Sequence, residues 1–109
     1  MKVDPNQPVD YQAECLLFDM GEVVLHDDSR TPRALLEDEE SAFQQYCRSL
    51  DPNKCFLMAI IPHDADRDVF FEAREVAARL GLHMQAMVDT PESHRSRWQV
   101  YKKSKEFDS

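Results

Sequence analysis

The stretch Cys55-Phe56-Leu57-Met58-Ala59-Ile60-Ile61 is an unbroken apolar run closed by Pro62. Seven residues are too few for an independent helix, and a run without polar alternation fits a strand buried on both faces. After it, Asp64 or Asp66 can cap a helix whose inner face reads Val69, Phe70, Ala73, Val76, Ala77 and Leu80. Gly81 sits where a C′ glycine stops such a helix. Beyond it, in Leu82–Val88, the residues Leu82, Met84, Ala86 and Val88 alternate with His83, Gln85 and Met87, the period of a strand. Strand, helix and strand in this order make a crossover unit, which is right-handed and lays its strands parallel.

Upstream, Ala13–Phe18 and Glu22–His26 are short runs rich in Val, Leu and Phe, separated by Asp19, Met20 and Gly21. They predict a hairpin with a tight turn in which Gly21 supplies the positive φ. Residues Asp27–Pro32 are polar and turn-rich. The period then changes to that of a helix from about Asp38 to Leu50, with Leu35, Leu36, Ala42, Phe43, Tyr46, Cys47 and Leu50 largely on one side and the acids Glu37–Glu40 near its positive end. Downstream, Thr90 and Pro91 suit the cap and first turn of a helix over about Pro91–Lys105, whose apolar anchors are sparse and include Trp98 and Tyr101. The predicted fold is α+β: a two-layer sandwich of a β-β-α-β-α-β mixed sheet with helices on one face, plus a C-terminal helix. The opposite sheet face is then expected to be solvated or used for self-association. Residues 1–10, with Pro5 and Pro8, read as an extended lead-in, residues 11–90 as one domain, and residues 91–109 as a basic C-terminal helix or tail.

At 109 residues, 42% of them hydrophobic, the chain is long enough to bury a core without disulfide or metal support. Its 21 acids against 13 Lys and Arg give a net charge of -8, which disfavours a nucleic-acid partner. From His94 onward the balance reverses, with Arg95, Arg97, Lys102, Lys103 and Lys105 against Glu106 and Asp108. A solvated terminal helix accounts for that polarity, and it could also steer an acidic partner. Cys15, Cys47 and Cys55 lack the short paired spacings of zinc or redox motifs and read as small buried hydrophobes, with a Cys47–Cys55 bridge as the alternative. No run approaches the ~20 apolar residues of a membrane span, and Met1–Asp10 lacks the apolar stretch of a signal peptide. The sequence as given therefore reads as cytoplasmic, or as periplasmic if excised from a membrane-tethered parent.

Two patterns bear on chemistry. Leu17-Phe18-Asp19-Met20-Gly21-Glu22-Val23-Val24 resembles the nucleophile motif of haloacid-dehalogenase-like phosphatases. That likeness implies Asp19 as nucleophile and a Mg²⁺ ion, but Gly21 stands where most members place a general-acid aspartate. Separately, His26 and the group His63, Asp64 and Asp66 follow predicted strands and would form a metal site if they converged, although strand termination and helix capping also call for Asp. With only two glycines there is no phosphate cradle, and no motif calls for a cofactor.

The apolar strand, Pro62, the short acidic loop, Phe70-Phe71-Glu72-Ala73-Arg74-Glu75-Val76-Ala77 and Leu80-Gly81-Leu82 together resemble the soluble domain of the biopolymer-transport ExbD/TolR family. Tyr11–His26 is similar to that family's first hairpin, so the resemblance spans about Tyr11–Val88. It implies a bacterial, non-catalytic, often dimeric domain that contacts protein partners or cell-wall material. The family's N-terminal membrane helix and its proton-relay aspartate have no counterpart in this sequence, and the segment from Pro91 is foreign to the pattern. The expectation is an interaction or scaffold domain, self-associating or binding a protein partner. Its contacts are expected from the last strand and helix: Met84, Met87, Arg95, Arg97, Trp98 and Tyr101.

Overall fold

A computed structural model describes residues 12–88 and 90–108, with the side chains of Phe107 and Asp108 excepted. The expected lead-in over residues 1–10 lies outside the described residues. The described residues form a five-stranded mixed sheet and three α-helices: β1 (Gln12–Asp19), β2 (Glu22–Val24), β3 (Arg30–Pro32), α1 (Ala42–Ser49), β4 (Cys55–Ile60), α2 (Arg67–Arg79), β5 (Met84–Ala86) and α3 (Pro91–Asp108). The spatial order is β3-β2-β1-β4-β5. Strands β1, β2 and β3 form an antiparallel meander, while β4 and then β5 add in parallel on the other side of β1. This is the expected α+β sheet with a C-terminal helix, built around the predicted crossover unit.

Local chemistry explains the element ends. At the β1–β2 turn both Met20 and Gly21 have positive φ, 52° and 77°, the pattern of a two-residue turn whose twist matches its strands. Helix α2 ends in a Schellman arrangement: Leu80 is the cap, Gly81 has φ of 87°, the Gly81 N–H donates to the Ala78 carbonyl and the Leu82 N–H to the Ala77 carbonyl. Helix α1 begins later than its sequence suggests. Ser41 caps it by accepting from the Gln44 N–H at 3.2 Å, and buried Thr31 on β3 accepts from the Phe43 N–H at 3.0 Å. The acids before it form turns, in which the Asp38 carboxylate accepts from the Glu40 N–H, and none lies in the first helical turn.

Two cores flank the sheet. Leu16, Phe18, Val23, Leu57, Ala59 and Met84 meet Phe43 and Cys47 of α1 and Val69, Phe70, Ala73, Val76 and Ala77 of α2. On the reverse side, Cys15, Val24 and Ile60, with half-buried Leu17, Met58 and Met87, meet Trp98 and Tyr101 of α3. The second sheet face, expected to be open, is thus covered over β1 and β4 by α3, which adds a third layer. The sparse anchors of α3 suffice because both are large aromatics, stacked at 5.8 Å between ring centroids. No helix among the described residues is long and apolar enough to cross a membrane.

Candidate functional site

The sheet has two edges of opposite character. At one edge, β3 reads Arg30-Thr31-Pro32, and Arg30 is tied across to Glu22 at 3.1 Å and Asp19 at 3.3 Å. A charge and a proline are the usual means of blunting an edge strand. At the other edge, Leu82–Val88 carries no Lys, Arg, Asp, Glu or Pro. The Leu57 N–H donates to the His83 carbonyl and the Met87 N–H to the Ala59 carbonyl, so the backbone of the odd-numbered residues faces β4. By alternation the N–H and C=O groups of Met84 and Ala86 point outward, where no described strand pairs with β5. Beside this edge lies a depression of about 440 Å³ lined by Pro52, Cys55, Phe56, His83 and Gln85. Val88, beyond the strand end, is 95% exposed.

The expected interaction residues divide accordingly. Met84 is fully buried in the first core and Met87 is half-buried against α3. Trp98 and Tyr101, 5% and 9% exposed, face the sheet and are occupied within the fold, which corrects their assignment to a partner surface. The reason is the apolar second face of the sheet, which they cover. Arg95 and Arg97 are exposed on α3. Arg97 helps line a small hollow of about 200 Å³ with Ala13, Cys15, Val100, Tyr101 and Ser104.

The residues proposed from sequence for a metal do not converge. Strand β2 runs antiparallel to β1 and β4, so His26 emerges at the end of the sheet where β1 and β4 begin, and His63, Asp64 and Asp66 at the end where they finish. Asp66, expected as a helix cap or ligand, accepts from the Gly21 N–H at 2.8 Å and makes no side-chain cap, while Asp64 pairs with Arg67 at 3.3 Å. Asp19 is held by Arg30. Among the described residues no group of three or more His, Cys, Asp and Glu is gathered to hold a metal ion.

A cluster that the sequence did not announce lies where β2 ends. Because β2 pairs with β1 only over Leu17–Asp19, the first half of β1 has no neighbour on that side. There Glu14, 7% exposed, accepts through one carboxylate oxygen from Tyr101 at 2.6 Å, Tyr46 at 3.3 Å and Lys105 at 2.9 Å. The two hydroxyls approach from opposite layers and meet at 3.1 Å, with the His26 ring edge-on to both. Burial foremost, and the Glu14 carboxylate after it, hold both phenols well above the usual tyrosine range. Burial also pushes the Cys15 thiol up to about 11, the Cys47 thiol up to about 12, and the Cys55 thiol upward. All three cysteines are free, so Cys47 and Cys55 are not bridged. Two neutral phenols and a lysine converging on one oxygen of a buried carboxylate stitch β1, α1 and α3 together. Comparison with protein-family models, curated proteins and solved structures gives no match.

Proposed function

We propose that this chain is a non-catalytic protein-interaction domain of the ExbD/TolR kind that self-associates through its β5 edge. The observation that carries the reading is the contrast between the edges: β3 is blunted by Arg30 and Pro32, whereas β5 offers unpaired backbone groups, no charge and an adjoining apolar depression. Such an edge is a template for another strand. In a two-fold pair, β5 of one copy would lie antiparallel to β5 of the other, extending the sheet across both copies. Arg95 and Arg97 stand beside β1 rather than at this edge, and would act only by steering an acidic partner toward the domain.

Sedimentation of the full chain over a concentration series tests this. The expected result is a concentration-dependent mass approaching that of a dimer, reduced to a monomer by Gln85→Lys with Val88→Lys. Both substitutions put charge on exposed positions beside the edge. A monomer throughout the series, or a dimer indifferent to both substitutions, would overturn the β5 assignment.

A further inference from the structure

We infer that His94 is a proton-sensitive latch that holds α3 on the sheet. The underside of α3 carries His94, Trp98, Tyr101 and Lys105 at spacings of four, three and four, one stripe along the helix. Only the two aromatics are apolar, although the sheet surface beneath them is built from Cys15, Leu17, Val24, Met58, Ile60 and Met87. Polar ties complete the docking at each end. At the C-terminal end they are Tyr101 and Lys105 on Glu14 and Lys102 on Asp28 at 2.7 Å. At the N-terminal end the tie is His94, whose Nδ1 accepts from the Ile61 N–H at 2.9 Å just past the end of β4.

A backbone amide can only donate, so this bond requires a lone pair on Nδ1 and hence a neutral imidazole with its proton on Nε2. A proton from solvent on Nδ1 would set N–H against N–H. It would also leave the Ile61 amide without its acceptor and place a cation on a side chain only 4% exposed. The titratable groups around this end are His63 from the β4–α2 connection, Asp19 from the end of β1 and Arg95 from α3 itself, which share a crevice with Trp98. Asp19 is already paired with Arg30, and His63 Nε2 lies 3.5 Å from Arg95, so none of them bonds the His94 ring. Protonation therefore frees the first turns of α3 and bares the apolar face of β1 and β4. The device is independent of association through β5.

Trp98 is the single tryptophan, and its position on α3 against the sheet makes its emission a direct reading of docking. The full chain is titrated through the range in which imidazoles take up a proton, following Trp98 emission, residue-resolved amide exchange and the NMR shifts of the His94 ring. The expected result is a red shift and loss of amide protection in α3, with protection kept in β1, β4 and α2 and with the midpoint matching proton uptake by His94. His94→Asn keeps an acceptor near the position of Nδ1 and cannot titrate, so its response is lost. His63→Gln and His26→Asn keep it. The inference is overturned by a flat wild-type titration, by an unchanged response in His94→Asn, by loss of the response in His63→Gln, or by joint loss of protection in all three layers. Should His94→Asn fail to hold α3 at neutral pH, the wild-type comparison decides: a release midpoint that departs from the His94 titration overturns the latch.

Discussion

Glu14 and Tyr101 stand 87 residues apart in the chain and share a 2.6 Å hydrogen bond at the one place where β1 lacks its β2 neighbour. Through the same carboxylate oxygen Tyr46 joins from the opposite layer, so one buried acid binds β1, α1 and α3 together. Removing a donor from a buried ionised acceptor exposes part of its desolvation cost. Tyr101→Phe is expected to lower stability by about 1–3 kcal/mol and Tyr46→Phe, with the longer bond, by less. In the double variant the losses should not add, because both hydroxyls serve one oxygen and touch each other. Urea unfolding of the four proteins measures this, and simple additivity would show the two hydroxyls acting separately.

The limits of the sequence reading follow from the same geometry. Periodicity carried the crossover unit from Cys55 to Met84 because those residues report burial by their spacing alone, and the hairpin was legible because Gly21 marks its turn. Strand β3 was hidden: Arg30-Thr31-Pro32 reads as a turn, and what makes it a strand is pairing with β2 together with the Thr31 contact to α1. The acids Glu37–Glu40 suggested an earlier helix start, but Ser41 fixes it. Asp66 has the composition of a cap and is spent on Gly21, 45 residues away. Trp98 and Tyr101 looked available because their helix is so polar. Their partners, an apolar sheet face and a single glutamate, are long-range facts that no local pattern records.

The start of α1 supplies a second test. Its Phe43 N–H is satisfied by Thr31 from another element and its Gln44 N–H by Ser41 from its own cap. Ser41→Ala should cost about 1 kcal/mol, the usual loss of an N-cap. Thr31→Val keeps the shape and removes the hydroxyl, leaving a buried amide unpaired, and should cost about 1–3 kcal/mol. Thermal unfolding distinguishes them. A Thr31→Val protein as stable as the parent would mean that the amide finds another acceptor.

The thiols and phenols make stability fall on the alkaline side. Cys15 and Cys47 are held neutral in the fold, up to about 11 and about 12, whereas in the unfolded chain they ionise in the ordinary thiol range near 8.5. Above that range the unfolded state has released protons that the folded state retains, so the slope of unfolding free energy with pH is negative. The contribution is complete below the ordinary thiol range and is lost as pH rises toward the folded values. Tyr46 and Tyr101 act in the same direction at higher pH. Chemical denaturation at stepped alkaline pH should show this decline, and Cys15→Ala with Cys47→Ala should flatten its first part. In parallel, a thiol reagent at neutral pH should modify the native protein slowly and the denatured protein at all three cysteines. Rapid labelling of Cys15 or Cys47 in the native state would contradict their burial.

If charge and proline are what separate the two sheet edges, removing them from β3 should create a second adhesive edge. Arg30→Val with Pro32→Thr deletes the two ion pairs to Asp19 and Glu22 and restores a backbone donor at position 32. A pair closed through β5 alone is finite, but a chain adhesive at both edges can join β3 to β3 and β5 to β5 without closure and grow into longer assemblies. Light scattering on the variant should therefore rise with concentration and time beyond any dimer. Adding Gln85→Lys and Val88→Lys should bring the growth back to a finite pair, now joined through β3. A variant that stays the size of the parent would show that the short length of β3, rather than Arg30 and Pro32, keeps that edge closed.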